Sequence, residues 1–576
     1  MFSLRDDVSP RAFWLLLAMC TVVYVIGLQL PLMDIDAAQY ASIAREMLEG
    51  GSWLVVKHRG LDYLDKPPLV FWLAAFSMRV FGVHDWAYRL PSFCFTVLGL
   101  YSVYRLGTMQ YNRIVGKLAV LMLYTLLAFC LFNHDIRTDT LLTGAVAFAV
   151  WQLYAYANLL TTEATTAHHT WRRYAYLFGG AVGMALAMLA KGPIGAVVPM
   201  LALASYATAY AAEWRRLFTL RMLRDGVLLV LTIAVCLYPM LWGLNAQFGS
   251  RGIIFYFWTQ SFGRITGASE WHNNAGYLFF VHTFLWAALP WTLVAVFALW
   301  REGKAAFDTL RQRTDAAGYY APNRLLLGGF VLSFVALSLS HYKLPHYIFV
   351  LMPFAALLAA AHLHRLAFDN RDYRRFKIFF RLQALLNILL WAAVIVLADW
   401  AFLPVPFFAL LVFAGIFIDF VLYSVRTANH LERFVVPTIL TALALNFMLV
   451  AHFYPVLLGY QSGSSVAAKI NMLHRERPMR TDEAIYTYRY SSHALDFYAP
   501  RRSEELTLDS LEAWNTAGKF FWVVTDRTGA ARIDSMGIHA VETYTFDDYA
   551  VTRLTAKFLD PARRTSQLGS VYLLGF

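Results

Sequence analysis

The chain has 576 residues, of which 59% are hydrophobic, 16% aromatic and 15% charged, with a net charge of +12 and a mean hydropathy of +0.49. Soluble chains carry about 25% charged residues, so this composition excludes an ordinary soluble enzyme and a disordered chain. The basic pI of about 9.4 does not indicate nucleic acid, because Lys and Arg fall in the short gaps between apolar runs.

The chain reads as a polytopic α-helical membrane protein. The first apolar run, Phe13 to Leu32, is too long for a signal-peptide core and has no small-residue cleavage site, so it is expected to stay as a span. At about 20 apolar residues per crossing, about thirteen spans follow. They fall near 12–32, 90–108, 118–133, 140–160, 174–190, 193–212, 226–246, 277–299, 325–341, 345–363, 382–399, 403–424 and 434–455. Cys20, Cys94, Cys130 and Cys236 lie within apolar runs, so no disulfide framework is read. With the N-terminus inside, the cytoplasmic segments hold 24 Lys and Arg. The short outer loops hold five: Arg137, Lys191, Arg251, Arg264 and Lys343. The positive-inside rule then fixes that orientation, and an odd number of crossings puts the C-terminus outside.

Two regions are not spans. In the first outer loop, 33–89, the segment Asp36–Glu49 carries Ala37, Tyr40, Ala41, Ala44, Met47 and Leu48 on one face and Gln39, Ser42, Arg45, Glu46 and Glu49 opposite. That spacing predicts an amphipathic helix against the membrane surface or the bundle. A second helix is expected from Leu69 to Phe81, after Pro67-Pro68. Residues 456–576 have the composition of a soluble domain, with Gly459, Gly463 and Ser462, Ser464 and Ser465 as its linker. Strands are expected at 484–490, 519–526 and 541–546 and helices at 466–477 and 508–518, giving a small α/β domain. The division is therefore 1–455 and 456–576.

Ionisable groups at the outer face carry the functional information. Asp34 and Asp36 follow the first span; Asp36 with Gln39 also fits a capping box, which needs no catalytic role. Asp65 and Lys66 precede two prolines that hold the backbone extended near lipid headgroups, although an adjacent Asp-Lys is also a plain surface pair. The turn NHDIRTD, 133–139, presents Asp135, Arg137 and Asp139. The loop 247–276 holds Arg251, Arg264 and the polar EWHNN at 270–274. HYKLPHY, 341–347, places Lys343 among His341, His346 and Tyr347; two loop histidines without a clear third ligand do not make a metal site. Basic groups on several loops point to one phosphate-binding site, with carboxylates for acid–base or positioning chemistry. No Walker A, dinucleotide or kinase pattern is present.

The stretch DIDAAQYASIAREMLEGGSWLVVKHRGLDYLDKPPLVFWLAAFSMRVFGVHDWAYRLPS, 34–92, resembles the first outer loop of the lipid A aminoarabinose transferases, polyprenyl-phosphate-dependent glycosyltransferases of the GT-C fold related to protein O-mannosyltransferases. RTD at 137–139, KGP at 191–193 and KLPHYIFVLMP at 343–353 extend the resemblance along the chain. The chain departs from the family pattern at Asp36-Ala37, where Asp-Glu is common, and at Asp65, where Glu is common. The resemblance implies transfer of 4-amino-4-deoxy-L-arabinose from undecaprenyl phosphate to lipid A phosphate at the periplasmic face of the inner membrane, with resistance to polymyxin and cationic peptides. It implies Asp36 and Asp139 as catalytic, and Lys66, Arg251, Lys343 and Tyr347 on the donor phosphate, with Tyr63 and Arg59 further out. No cofactor is expected to be required; a bound divalent metal is compatible with the residues but is not expected. The partners are the lipid-linked sugar, lipid A and membrane lipids, without nucleic acid, and the chain is expected to be a monomer. Two rivals remain open: a related transferase with another sugar and a protein or glycan hydroxyl acceptor, and a secondary transporter. The clustering of charge at one face without a repeat argues against the transporter.

Overall fold

The computed structural model describes residues 8–135, 137–161, 167–208, 220–260, 262–267, 273, 275–312, 323–368, 373–427, 429–476, 484–516 and 519–576. Of EWHNN only Asn273 is among them, and 162–166, 209–219 and 313–322 of the basic loops lie outside the described residues. The first part of the chain forms α1 (Pro10–Gly27), α2 (Asp36–Leu48), α3 (Leu69–Phe81), α4 (Asp85–Gln110), α5 (Arg113–Thr125), α6 (Leu127–His134), α7 (Thr138–Thr161) and α8 (Ala167–Lys191).

Eight helices among the described residues are long and apolar enough to cross a membrane, or nine if α5 and α6, bent by 55°, form one span. Other apolar runs give shorter or broken helices. The run near 193–212 gives only Ile194–Ala207, and that near 325–341 gives Arg324–Ser338. The run near 277–299 breaks between Phe279–Ala287 and Thr292–Gln312, around Pro290, which has no N–H to continue a helix. Small residues let helices approach closely. A Cβ on Gly144 of α7 would stand 2.2 Å from the Phe95 carbonyl of α4.

The first long loop is folded rather than loose. Both α2 and α3 form where their periodicity requires, with Tyr40, Ala41, Ala44 and Met47 buried. Glu46, on the polar face of α2, is buried too. Its carboxylate accepts the backbone N–H groups of Arg59 and Gly60 at 2.9 and 3.0 Å and pairs with Arg502 at 2.9 Å. At Glu46 the polar face of α2 therefore meets protein, not water. The segment leading into α2 is held by Arg89, which is 1% exposed and donates to the carbonyls of Leu28, Leu30, Pro31 and His134.

The C-terminal domain is a five-stranded sheet of β3 (Ile485–Tyr488), β4 (Ser503–Glu505), β5 (Trp522–Asp526), β6 (Glu542–Asp548) and β7 (Gly569–Gly575), in order β4-β3-β5-β7-β6; β1 (Lys57–His58) and β2 (Leu61–Asp62) form a separate hairpin in the first long loop. Strand β3 is parallel to β4 and β5, and β7 is antiparallel to β5 and β6. Alternation along β5 puts Trp522 and Val524 in the core under Val466 and Ile470, and Val523 in the opposite core with Leu511 and Ile533. Residues 462–465 are not a linker. They open the helix Ser462–Glu476, with Ser462 Oγ bonded to Tyr490 and Asp548.

This domain docks on α2. Arg45 donates to the carbonyls of Phe497 and Ala499 at 2.7 and 2.8 Å. Asp34 accepts from Ser492 Oγ at 2.6 Å and from the Ala494 N–H at 3.0 Å. Burial pushes the Asp34 carboxyl up to about 6, against the lowering by those two hydrogen bonds. A raised carboxyl favours the folded state in its protonated form, so its contribution is full at acid pH and is lost as pH rises through about 6. The thermal midpoint of the wild type is expected to fall between pH 5 and pH 7 more than that of Asp34→Asn. Equal slopes in the two proteins would remove Asp34 from the linkage.

Candidate active-site cavity

Six chain segments converge on one cavity of about 500 Å³. Asp36 is the first residue of α2 and points into it. Asp65 and Lys66 come from the segment before Pro67-Pro68, and Arg137 and Asp139 from the junction of α6 and α7. Lys191 closes α8, Arg264 lies on the short helix Phe262–Thr266, and His346 and Tyr347 lie on the 3₁₀ turn Pro345–Leu351. Val197, Val198, Leu201, Ala336 and Leu337 give another part of the wall an apolar lining.

The charges are paired across long sequence separations. Asp36 accepts from Arg137 Nη1, and Asp135 accepts from Arg137 Nε at 2.9 Å. The capping box at Asp36 does not form, because its carboxylate is taken by Arg137. Asp139, 1% exposed, is bonded to Lys191, and its second oxygen stands 3.8 Å from His346 Nε2. Lys66 Nζ meets Asp65 at 2.6 Å, and Gln260 donates to the Asp65 carbonyl. Arg264 donates to Tyr347 Oη at 2.9 Å and pairs with no carboxylate among the described residues. Lys66, Arg137 and Lys191 are each matched by carboxylates (Asp65, Asp36 with Asp135, and Asp139), so Arg264 is left as a cavity cation with no carboxylate partner among the described residues, which suits it to an anion. Tyr63 Oη, Asp65 Oδ1, Asp139 Oδ2 and Arg264 Nε are buried with no hydrogen-bond partner among the described residues, so they retain bonding capacity.

Of the residues expected from sequence, Asp36, Asp139, Lys66, Tyr347 and Tyr63 line this cavity. Arg251, Lys343 and Arg59 lie outside its lining. The Arg251 side chain is exposed on the helix Ser250–Ile254. Lys343 is buried, but its ammonium is drawn to the Ala275 carbonyl at 3.0 Å, where it ties down the preceding loop. Arg59 is taken by Asp496 and Ser491 of the C-terminal domain at 2.8 and 3.0 Å.

Residues 65–242 match the family model for dolichyl-phosphate-mannose-protein mannosyltransferase. An undecaprenyl phosphate-alpha-4-amino-4-deoxy-L-arabinose arabinosyl transferase of Edwardsiella ictaluri is 28% identical over 411 residues, 69% of this chain and 67% of that protein. Its namesake in Pseudomonas aeruginosa strain UCBPP-PA14 is 28% identical over 374 residues, 63% of this chain and 62% of that protein. The matched stretch thus spans about two thirds of these curated relatives. The crystal structure of ArnT from Cupriavidus metallidurans in the apo state superposes with a TM-score of 0.71 at 19% identity, over 98% of both chains. The same protein bound to undecaprenyl phosphate gives 0.70 at 20% identity, again over 98% of both.

The chain has the fold of those ArnT crystal structures.

In this ArnT-type fold, the cavity wall includes groups that sequence reasoning left without a role. Arg264 stands in the same loop as Arg251 and was equally visible as an outer basic residue. Lys191 and Arg137 were visible as outer cations, but not as the partners of Asp139 and Asp36. Gln260 carried no signal at all, since an amide in a polar loop is ordinary.

Proposed function

We propose that the chain is a glycosyltransferase that moves 4-amino-4-deoxy-L-arabinose from undecaprenyl phosphate to a phosphate of lipid A. It works as a monomer at the periplasmic face of the bacterial inner membrane, with its N-terminus in the cytoplasm and its C-terminal domain in the periplasm. The observation that carries the reading is a single cavity that joins paired carboxylates and the unmatched cation Arg264 to an apolar wall. Lys66 and Arg264 suit the donor phosphate, the wall around Val197, Leu201 and Leu337 suits a prenyl chain, and Asp36 and Asp139 suit the amino sugar. The names of the relatives supply the sugar and its lipid carrier.

In the reaction, an oxygen of the acceptor phosphate forms a bond to the anomeric carbon. The bond from that carbon to the donor phosphate oxygen breaks, and its electron pair leaves with undecaprenyl phosphate, which gains a negative charge. Cations at that oxygen therefore stabilise the transition state more than the ground state. Because side chains supply this charge, turnover is expected to persist in EDTA; activity lost on chelation and restored by one metal would overturn that.

The assignment is tested by mass spectrometry of lipid A from cells with and without the protein. The expected result is aminoarabinose-modified lipid A only where the protein is present, with lower polymyxin susceptibility, since each added amine offsets a phosphate charge that attracts cationic peptides. Unchanged lipid A, with another acceptor labelled, would remove this function.

A further inference from the structure

Away from the cavity wall, the β1–β2 hairpin meets the C-terminal domain. Its turn residues, Arg59 and Gly60, have φ of +53° and +77°, as a two-residue type I′ turn requires. The turn sets His58, on β1, against the helix His493–Tyr498. His493 and Asp496, three residues apart, share one face of that helix. The rings of His58 and His493 lie 4.9 Å apart, and one donor atom from each of His58, His493 and Asp496 falls within 4.8 Å of the others. His58 Nε2 and His493 Nδ1 are buried with no hydrogen-bond partner among the described residues. Leaving such groups bare costs free energy that a shared ligand removes.

We propose that His58, His493 and Asp496 bind one borderline divalent cation, zinc foremost, that staples the first long loop to the C-terminal domain. Two imidazoles and a carboxylate form a nitrogen–oxygen donor set that suits zinc, with water completing a tetrahedron. Binding at about 2.0–2.1 Å asks the donor atoms to close by roughly 1.5 Å, within reach of side-chain rotation. Asp496 is 2% exposed and already accepts from Arg59 and, at 2.6 Å, from Ser503. A carboxylate offers about four lone-pair sites, so it keeps room for a metal. Arg59 and Arg502 oppose a cation, while Glu46 offsets them; the Arg59 side chain, 35% exposed, has solvent to move into. The staple would join positions 58 and 493, so it acts on docking. Stripping it costs thermal stability, while catalysis stays with the cavity groups.

The test uses the purified full chain in detergent, freed of metal with a chelator and titrated with zinc against a chromophoric competitor. One equivalent is expected to bind and to raise the thermal midpoint. His58→Ala and His493→Ala are expected to bind at least about 100-fold more weakly and to lose the thermal gain. His58→Cys keeps a ligand, so X-ray absorption at the zinc edge should show a sulfur at about 2.3 Å that the wild type lacks. Unchanged affinity in both alanine variants, or zinc bound to His58→Cys without sulfur, would overturn the proposal.

Discussion

Lys66→Ala and Arg264→Ala are each expected to slow sugar transfer by about 10²–10³, or roughly 2–4 kcal/mol of barrier. The two cations reach the cavity from different segments. Lys66 arrives on a backbone stiffened by Pro67-Pro68, and Arg264 is oriented by Tyr347 Oη at 2.9 Å. Charge builds on the donor phosphate as the glycosidic bond breaks, so the loss should fall on the single-turnover rate more than on donor affinity. Both residues lie at a solvent-reachable cavity wall and carry no core packing, so the size-exclusion profile should stay that of the wild type. Near-normal turnover of Lys66→Ala in proteoliposomes would refute this phosphate site. Arg251→Ala makes the contrasting measurement: an equal loss there would return that residue to the phosphate, as its position in the sequence suggests.

That contrast shows what the sequence carries. Local periodicity was legible: α2 and α3 begin and end close to where the apolar spacing and Pro67-Pro68 place them, β5 falls within its β-branched and aromatic run, and β6 starts in its run and extends two residues past it, to Asp548. Asp36, Lys66 and Asp139 were legible as charges without a solubility role beside apolar runs. Tertiary partnership was not. Arg137 reaches Asp36 across 101 positions, and Lys191 reaches Asp139 across 52. Nothing local in the sequence encodes those pairings. Glu46 looked solvated because a helical wheel knows only one helix, whereas its partners Arg59, Gly60 and Arg502 come from the hairpin and the C-terminal domain. Arg251 and Arg264 share one loop, and the path of that loop alone brings Arg264 to the wall. Gly and Ser at 462–465 signalled a break in pattern, yet Ser462 gains partners in Tyr490 and Asp548 and the helix starts there.

Asp36→Asn is expected to reduce transfer to a lipid A phosphate by about 10²–10³, through electrostatics rather than proton abstraction. A hydroxyl acceptor would need a base, and Asp36 stands in the cavity where one would serve. A phosphate oxygen is already anionic at neutral pH and has no proton to give up. A carboxylate beside that oxygen would repel it, and here Arg137 sits on Asp36 and offsets the repulsion. The remaining work for Asp36 is to face the protonated 4-amino group or the positive charge that develops at the anomeric carbon. The two roles separate by pH. A general base gives a rate that climbs as the base loses its proton. An electrostatic carboxylate leaves the rate nearly flat from about pH 6 to 8 once acceptor ionisation is allowed for. Single-turnover transfer against pH, for the wild type and Asp36→Asn, distinguishes them, and a donor lacking the amine shows which positive charge Asp36 meets. If the amine is the target, the amine-free donor should make the two proteins nearly equal; if the anomeric carbon is, the loss should persist. Asp36→Asn active with a phosphate acceptor and inactive with a hydroxyl acceptor would instead establish the base.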